Sequence, residues 1–298
     1  MDGRHRVVIE RVSPEMDCAR FAISRVTGEM VVVEADVYTD GHDQVACQIL
    51  IWRDDSEEVQ TSPMKPLGND RWRGSFCVHE VGRFRYCVEG WIDQFQTWRN
   101  ELVKRVAAGQ DVHVELVIGR DLIEGAAAQA SGDDAAILSK WARRLQAEKN
   151  KDLATAIALE EQALGVIQRY FDRRLASRYD KQLLLTVERK KAGFSTWYEV
   201  FPRSCSPEAA RHGTFRDCEA RLPYIASMGF DVVYFPPIHP IGVSFRKGKN
   251  NSVTATQDDV GSPWAIGAAE GGHTCVHPQL GDHRGFSQIS FEGGGARS

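Results

Sequence analysis

The stretch Phe245-Arg246-Lys247-Gly248-Lys249-Asn250-Asn251 sets three cations beside two neighbouring amides. Cations and amides are the donors that a polyhydroxyl ligand carrying a phosphate needs. Without its neighbours the same stretch reads as a solvated basic loop. Trp264, in Gly261-Ser262-Pro263-Trp264-Ala265-Ile266-Gly267, could stack on a sugar face, since an indole offers flat apolar area at little rotamer cost, or could brace its loop. His273 and His277 stand four apart, a spacing that suits a metal only on a helix. Gly271-Gly272 and Pro278 argue against a helix there, so no metal site is expected. The seven cysteines, at 18, 47, 77, 87, 205, 218 and 275, include no C-x-x-C pair. Cys77 and Cys87 could face each other across a hairpin, but reduced, mostly buried thiols are expected.

The elements that must position these residues come in three blocks. Residues 1–118 read as strands. Met30 to Val37 and Val45 to Trp52 are β-branched runs around the turn cluster Thr39-Asp40-Gly41-His42-Asp43. Period-two alternation puts Trp72, Gly74, Phe76 and Val78 on one face of a strand, and Phe84, Tyr86 and Val88 on one face of another. Residues 133–149 and 152 to about 179 read as helices. They start at Ser131-Gly132-Asp133 and Asn150-Lys151-Asp152, and Leu153, Ile157, Leu164, Ile167 and Phe171 recur on one side of the second. Gln182 to Glu188 returns to strand character, so the helices read as an insertion before the last strand of an all-β sandwich. From residue 194 the pattern is β/α: a strand over 195–201, a helix opened by Thr214 and closed at Gly229, and a nearly all-apolar strand over 230–235, as in a buried parallel sheet.

Composition adds exclusions. The 298 residues are 42% hydrophobic and 26% charged, an ordinary globular balance with room for two or three domains. A net charge of -4 gives no electrostatic reason for a nucleic-acid or anionic-membrane partner. The short clusters Arg173-Arg174 and Arg189-Lys190-Lys191 read as solvated faces. There is no apolar run of the length that spans a bilayer. The N-terminus lacks an apolar signal core with a cleavage site, and a cytoplasmic location is expected.

Phe194-Ser195-Thr196-Trp197-Tyr198-Glu199-Val200-Phe201-Pro202-Arg203-Ser204 resembles the first barrel strand of the α-amylase-type enzymes, glycoside hydrolase family 13. Residues 222–238, Leu222-Pro223-Tyr224 through Phe235-Pro236-Pro237-Ile238, resemble that family's first helix and second strand. His239-Pro240-Ile241-Gly242, the basic loop to Asn251, and residues 261–267 are similar to the maltosyltransferases of that family that use maltose 1-phosphate. The resemblance covers residues 1 to about 281. It implies an immunoglobulin-like β-sandwich with a helical-bundle insertion, followed by the start of a (β/α)8 barrel, in a homodimer. It also implies that Lys247 and Asn251 match sugar-contacting positions; with Trp264 they are the expected substrate-binding residues.

The expected domains are a sandwich over 1–118 plus 182–193, an inserted helical bundle over 119–181, the first β/α units of the barrel over 194–281, and an aberrant tail over 282–298. That tail shows no helical period where a helix would be expected. A full barrel needs about 250 residues, so residues 195–298 hold at most two of its strands. The family's nucleophilic aspartate, acid/base glutamate and third aspartate match no position here. Asp258, Asp259 and Glu270 lie in loops and do not substitute for them. The resemblance therefore implies the N-terminal part of a retaining maltosyltransferase acting on maltose 1-phosphate and α-1,4-glucan, with no cofactor and without the catalytic carboxylates. Two alternatives stay open: a fragment of an amylase-like glycoside hydrolase, and a non-catalytic β-sandwich module for dimerisation or glucan binding.

Overall fold

A computed structural model describes residues 4–161, 164–170 and 173–295. The chain divides into two compact units, Met1–Arg189 and Lys190–Ser298.

The N-terminal unit opens with eight strands: β1 (Val7–Ser13), β2 (Ile23–Val26), β3 (Met30–Thr39), β4 (Val45–Arg53), β5 (Val59–Pro63), β6 (Lys65–Gly68), β7 (Arg71–Cys77) and β8 (Gly82–Ile92). Five helices follow: α1 (Gln94–Ala107), α2 (His113–Gln129), α3 (Gly132–Ala147), α4 (Lys151–Ala158) and α5 (Leu164–Ile167). Strands β9 (Ser177–Arg178) and β10 (Leu183–Glu188) close the unit. One sheet runs β1-β3-β7-β6 and the other β2-β10-β8-β4-β5, with β9 on the edge of β8. The returning strand β10 pairs antiparallel with β8 (Leu185 opposite Phe84) and parallel with β2 (Leu185 opposite Ile23).

Alternation decides the core. Val31, Val33, Ala35 and Val37 of β3, Phe76 of β7, Tyr86 and Val88 of β8, and Leu183, Leu185 and Val187 of β10 fall in one buried cluster fed by both sheets. Tyr86 is fully buried, and its hydroxyl donates to the Pro14 carbonyl, so the polar end of a large core ring is satisfied. The opposite face of β8 is covered too. There the buried Glu89 accepts from Gln48 Nε2 at 2.8 Å and from Arg178 Nε at 2.8 Å. A carboxylate in that position has to be paired.

Helix begins earlier than the sequence suggests. Residues 94–107 and 113–118, expected as strand, lie in α1 and α2. Asp93, immediately after β8, accepts from the Gln96 N–H at 2.8 Å and so caps α1, while Phe95, Trp98 and Leu102 recur on its buried side. The single long helix expected over 152–179 is also broken. Trp141 Nε1 donates to the Ile157 carbonyl at 2.7 Å and Arg99 donates to the Leu159 carbonyl at 2.9 Å. Side chains from other helices thus take the last carbonyls of α4, which would otherwise lead into another turn. Phe171, expected on the apolar side of that helix, lies outside the described residues. The other helix starts hold: Asn150 accepts from the Asp152 and Leu153 N–H groups. Trp98, Trp141, Leu138 and Ile123 centre a second buried cluster. All seven cysteines are free thiols.

The C-terminal unit contains α6 (Lys190–Gly193), β11 (Trp197–Glu199), a 3-10 turn at Pro202–Ser204, α7 (Phe215–Ser227), β12 (Val232–Tyr234), a second 3-10 turn at Lys249–Asn251 and α8 (His283–Gly295). Strands β11 and β12 pair in parallel, Tyr198 opposite Val233, as a two-stranded sheet. Among the described residues no sheet closes into a barrel. These strands are shorter and more exposed than their apolar sequence suggests, with Trp197 60% and Tyr234 40% accessible. Helix α7 starts with a reciprocal capping box: Thr214 Oγ1 accepts from the Asp217 N–H, and Asp217 accepts from the Thr214 N–H at 2.8 Å.

The segment 282–298, read as having no helical period, is helical over residues 283–295. Asp282 caps it by accepting from the Gly285 N–H at 2.8 Å, and Phe286 and Ile289, three apart, turn onto a core of Cys205, Phe215, Cys218 and Leu280. A strong cap and two apolar anchors outweigh the poor helix propensity of the glycines around them.

Two outcomes test this packing. A Cβ at Gly119 of α2 would fall inside the Trp98 ring. Gly119→Ala is expected to destabilise the protein by about 1–3 kcal/mol through overpacking, despite a helix-propensity gain of about 1 kcal/mol; thermal denaturation reads the difference, and a neutral or stabilised variant contradicts the packing. Asp217 is the second. Hydrogen bonds from Arg211 and then Thr214 hold its carboxyl well below the usual carboxylate range. A depressed folded-state pKa means that this stabilisation is complete above the unfolded value of about 3.9 and is lost as pH falls below it. Asp217→Asn is expected to lower amide protection of α7 at neutral pH and to flatten its decline below about pH 4, measured by hydrogen exchange across the acid range.

Candidate functional site

The chain leaves the C-terminal end of β12 through Phe235-Pro236-Pro237-Ile238, passes the buried His239 and Ile241, and makes two arms. The first arm runs to Asp259 and the second over 261–267. Gly242 N–H donates to the Ala265 carbonyl at 2.8 Å and ties the arms together. A side chain at Gly242 would run into the Ile266 carbonyl, and one at Gly248 into the Thr254 carbonyl, so both glycines answer to close backbone approach.

Arg246 is the centre of this construction. Its Nε donates to the Gly242 carbonyl at 3.1 Å, one terminal nitrogen to Asp259 at 3.1 Å and the other to Ile241 at 2.9 Å. Three loop carbonyls are thus bonded by one planar guanidinium. The expectation that Arg246 offers its charge to a ligand is therefore corrected, because its nitrogens are spent on the loop. Asp259 has a comparable internal role. Its carboxylate accepts from the Thr256 N–H at 2.6 Å and the Thr256 hydroxyl at 2.9 Å, and these bonds hold its pKa below the ordinary value. A carboxylate so occupied is a cap, not a nucleophile.

Lys247, Asn251 and Trp264, expected as substrate-binding residues, all lie among the exposed residues of this frame, as do Phe245 and Lys249. Lys247 is exposed, next to the clamped Arg246. Asn251 is exposed and holds a left-handed backbone (φ 62), as does Asn250 (φ 53); asparagine tolerates that region better than most residues. Trp264, on the second arm, is 56% accessible and meets Phe201 edge to face, centroids 5.8 Å apart at 80°. That contact braces the loop, and more than half of the indole stays accessible. Lys247 and Asn251 share the first arm, Lys247 two residues before the 3-10 turn and Asn251 at its last position, and Trp264 sits on the arm tied to it.

A histidine group that the residue pattern does not announce lies at the same strand ends. A small hollow beside Phe201, Arg203 and Pro237 is lined by His212, His239 and His277. The His212 and His277 rings stack with centroids 5.5 Å apart at 9°, and His239 meets His273 edge to face at 5.3 Å. Nδ1 of His239 lies 2.9 Å from the Pro240 carbonyl and Nδ1 of His212 lies 2.7 Å from the Gly213 carbonyl, so in each ring Nδ1 carries the proton. His277 Nδ1 instead accepts from the Gln279 N–H at 3.3 Å. Burial, then the neighbouring His212, pushes the His277 pKa down, favouring a neutral ring. His273 and His277 thus face different partners. Among the described residues no group of three or more His, Cys, Asp or Glu could hold a metal ion. The signal for this group was the run His239-Pro240-Ile241-Gly242 itself, whose histidine has no structural excuse from periodicity.

Comparison with known proteins places the chain. The family described as "Alpha-1,4-glucan:maltose-1-phosphate maltosyltransferase, domain N/S" matches residues 5–189. Proteins named α-1,4-glucan:maltose-1-phosphate maltosyltransferase are similar over nearly the whole chain. The one from Chlorobaculum tepidum is 51% identical over 291 residues, 98% of this chain and 43% of the relative. The one from Myxococcus xanthus is 50% identical over 289 residues, 94% of this chain and 43% of the relative. The one from Rhodospirillum rubrum is 41% identical over 304 aligned positions, 97% of this chain and 44% of the relative. The chain therefore spans less than half the length of these relatives. At 98% coverage the first match also runs past residue 281, into the segment read as aberrant.

The clamp generates a test. Arg246→Ala is expected to release the carbonyls of Ile241, Gly242 and Asp259 and to cut amide protection over 242–267 by about tenfold or more, read by hydrogen exchange, whereas Lys247→Ala leaves that protection unchanged. Equal effects of the two variants would contradict the assigned roles.

Proposed function

We propose, from the premise that the chain belongs to the α-1,4-glucan:maltose-1-phosphate maltosyltransferase family, that it forms the N-terminal part of a retaining enzyme that carries a maltosyl unit from α-maltose 1-phosphate to the non-reducing end of an α-1,4-glucan. In this reading the two sheets of the first unit are an immunoglobulin-like sandwich, with the helices between β8 and β10 as its insertion. Strands β11 and β12 with α7 open a (β/α)8 barrel. The assembly is a homodimer in the cytoplasm, without nucleic-acid or membrane partners. Among the described residues no helix is long and apolar enough to cross a membrane.

The observation that carries the substrate reading is the braced loop after β12. Loops at the C-terminal ends of barrel strands build the pocket in such folds. Here the loop is stiffened from within by Arg246 and Asp259, and it turns Lys247, Asn251 and Trp264 to the outside. The ammonium would meet the anionic part of the donor, the amide its hydroxyls, and the indole a sugar face. Fixing these groups in advance lowers the ordering cost of binding.

Transfer with retention needs a nucleophilic carboxylate and an acid/base carboxylate about 5 Å apart. Asp259, the buried loop carboxylate, is committed to Thr256. In this reading the chain by itself is a binding surface rather than a catalyst. Purified chain is expected to bind maltose 1-phosphate in a calorimeter, to lose about tenfold in affinity in Lys247→Ala through one charge-assisted contact, and to produce no glucan extension above a protein-free blank. Turnover by the chain would sink the catalytic half of this reading; binding indifferent to Lys247→Ala would sink the substrate half.

A further inference from the structure

The segment that carries Lys247, Asn251 and Trp264 is closed at its base by one residue. The His277 N–H donates to the Ile238 carbonyl at 2.7 Å, and the His277 carbonyl accepts from the Leu280 N–H at 2.9 Å. Leu280 is buried, and its carbonyl accepts from the N–H of Phe215, at the start of α7, at 3.0 Å. The His277 ring shapes the turn between these bonds. Its Nδ1 accepts from the Gln279 N–H, two residues on, as an asparagine oxygen does in an Asx turn. That bond exists only while Nδ1 is bare, so the neutral ring carries its proton on Nε2. A second proton has to go to Nδ1 and removes the bond.

The surroundings oppose that proton. His277 is half-buried and stacks flat on His212, centroids 5.5 Å apart at 9°. His212 keeps its Nδ1–H on the Gly213 carbonyl at 2.7 Å, so a proton it takes goes to Nε2 and leaves a cation against the His277 ring. Arg203, from the 3-10 turn after β11, and Arg246, from the first arm, add positive charge around the ring, and Glu270 opposes them. His239 lines the same hollow, with its Nδ1–H on the Pro240 carbonyl. Both arginines are ties of the loop. Arg203 reaches the Gly261 carbonyl at 3.5 Å, and Arg246 holds the carbonyls of Ile241, Gly242 and Asp259. A positive His277 pushes against the two guanidiniums that brace the arms.

We infer that His277, with His212 stacked on it, is a pH-dependent positioning residue: its neutral ring latches the loop of residues 238–277, and protonation releases it. The latch rests on the donor-site reading of that loop only for what it serves. An opened loop takes the proton near the ordinary histidine value of about 6.5. The closed loop resists it, because burial, and then the His212 charge, hold the His277 pKa lower. The latch is therefore complete above about pH 6.5 and is lost as pH falls through the lower value of the closed state.

Hydrogen exchange of the intact chain without ligand, corrected for the pH dependence of intrinsic exchange, tests the latch. From about pH 7.5 to about pH 5, protection of the amides over 238–277 is expected to fall by about three- to tenfold, the worth of one backbone hydrogen bond, while that of β8 and β10 holds. His277→Asn keeps an acceptor for the Gln279 N–H and takes no proton, so its protection is expected to stay at the neutral-pH level throughout. His212→Phe keeps a flat ring in the stack without the charge, so the fall is expected to move to higher pH. Protection that does not fall in the native chain overturns the inference, and so does a fall of the same size in His277→Asn. If His277→Asn is already unprotected at neutral pH, His212→Phe decides, and a midpoint that does not move up overturns the latch. No ligand is present, so these outcomes stand apart from the Lys247→Ala titration, which tests whether the loop binds maltose 1-phosphate.

Discussion

Strand β8 is buried on both faces from Tyr86 to Trp91, and much of the N-terminal unit follows from that condition. A strand in this position cannot stand in a single sheet with one side in water. Its inward residues, Phe84, Tyr86 and Val88, need the opposing sheet, which β3 and β7 supply through Val31, Val33 and Phe76. Its outward residues, Glu89 and Trp91, need a different kind of cover, because one is charged and the other carries a polar edge. Gln48 and Arg178 satisfy Glu89, and Arg178 arrives only because the chain returns through β9 after five helices. The helical insertion and the late strand β10 are therefore parts of one solution. The chain leaves β8 to build helices and comes back to finish the sheet that β8 requires.

The same logic, at smaller scale, governs the loop after β12. A long irregular segment near a buried histidine has backbone carbonyls that no sheet or helix satisfies. Arg246 supplies three donors to them, and Asp259 caps the turn at Thr256. The cost is that two of the loop's charged groups are no longer available to a ligand. The gain is that Lys247, Asn251 and Trp264 project from a segment whose shape is already set. Within a single basic heptapeptide, adjacent residues thus take opposite tasks, one facing in and one facing out.

Much of this was legible in the residue pattern. Period-two alternation in Arg71–Cys77 and Gly82–Ile92 predicts which side chains reach the core, because side-chain direction in a strand depends on the strand alone. Thr214 and Asp217 announce α7 for the same reason: a capping box is completed within four residues. The start of α1 was missed because β8 runs into it without a loop, and the aromatic residues Phe95 and Trp98 suit either element until their partners are known. Helix α8 was missed because its glycines speak against a helix, while the cap at Asp282 and the seat for Phe286 and Ile289 exist only in three dimensions. Arg246 looked identical to Lys247 in sequence. Only the positions of carbonyls from residues 241, 242 and 259 separate their roles.

The two short strands β11 and β12 show how far local order can go without an extensive sheet. Trp197 and Tyr234 both stay partly in solvent, so the pair receives only part of the two-sided cover that its apolar composition favours. The loop that β12 launches does not rely on that cover. Its ties run within the segment itself, from Arg246 to the carbonyls of Ile241, Gly242 and Asp259 along the first arm and from Gly242 to Ala265 on the second, and its base is anchored where the His277 N–H donates to the Ile238 carbonyl at 2.7 Å. A loop built in this way depends on short-range hydrogen bonds whose partners are close in sequence, and such bonds form at lower entropic cost than pairings between distant strands. The geometry of Lys247 and Asn251 is consequently a property of about twenty-five consecutive residues rather than of a complete barrel. That separation between a self-braced loop and its supporting sheet is what allows one piece of chain to hold Lys247, Asn251 and Trp264 in a defined arrangement.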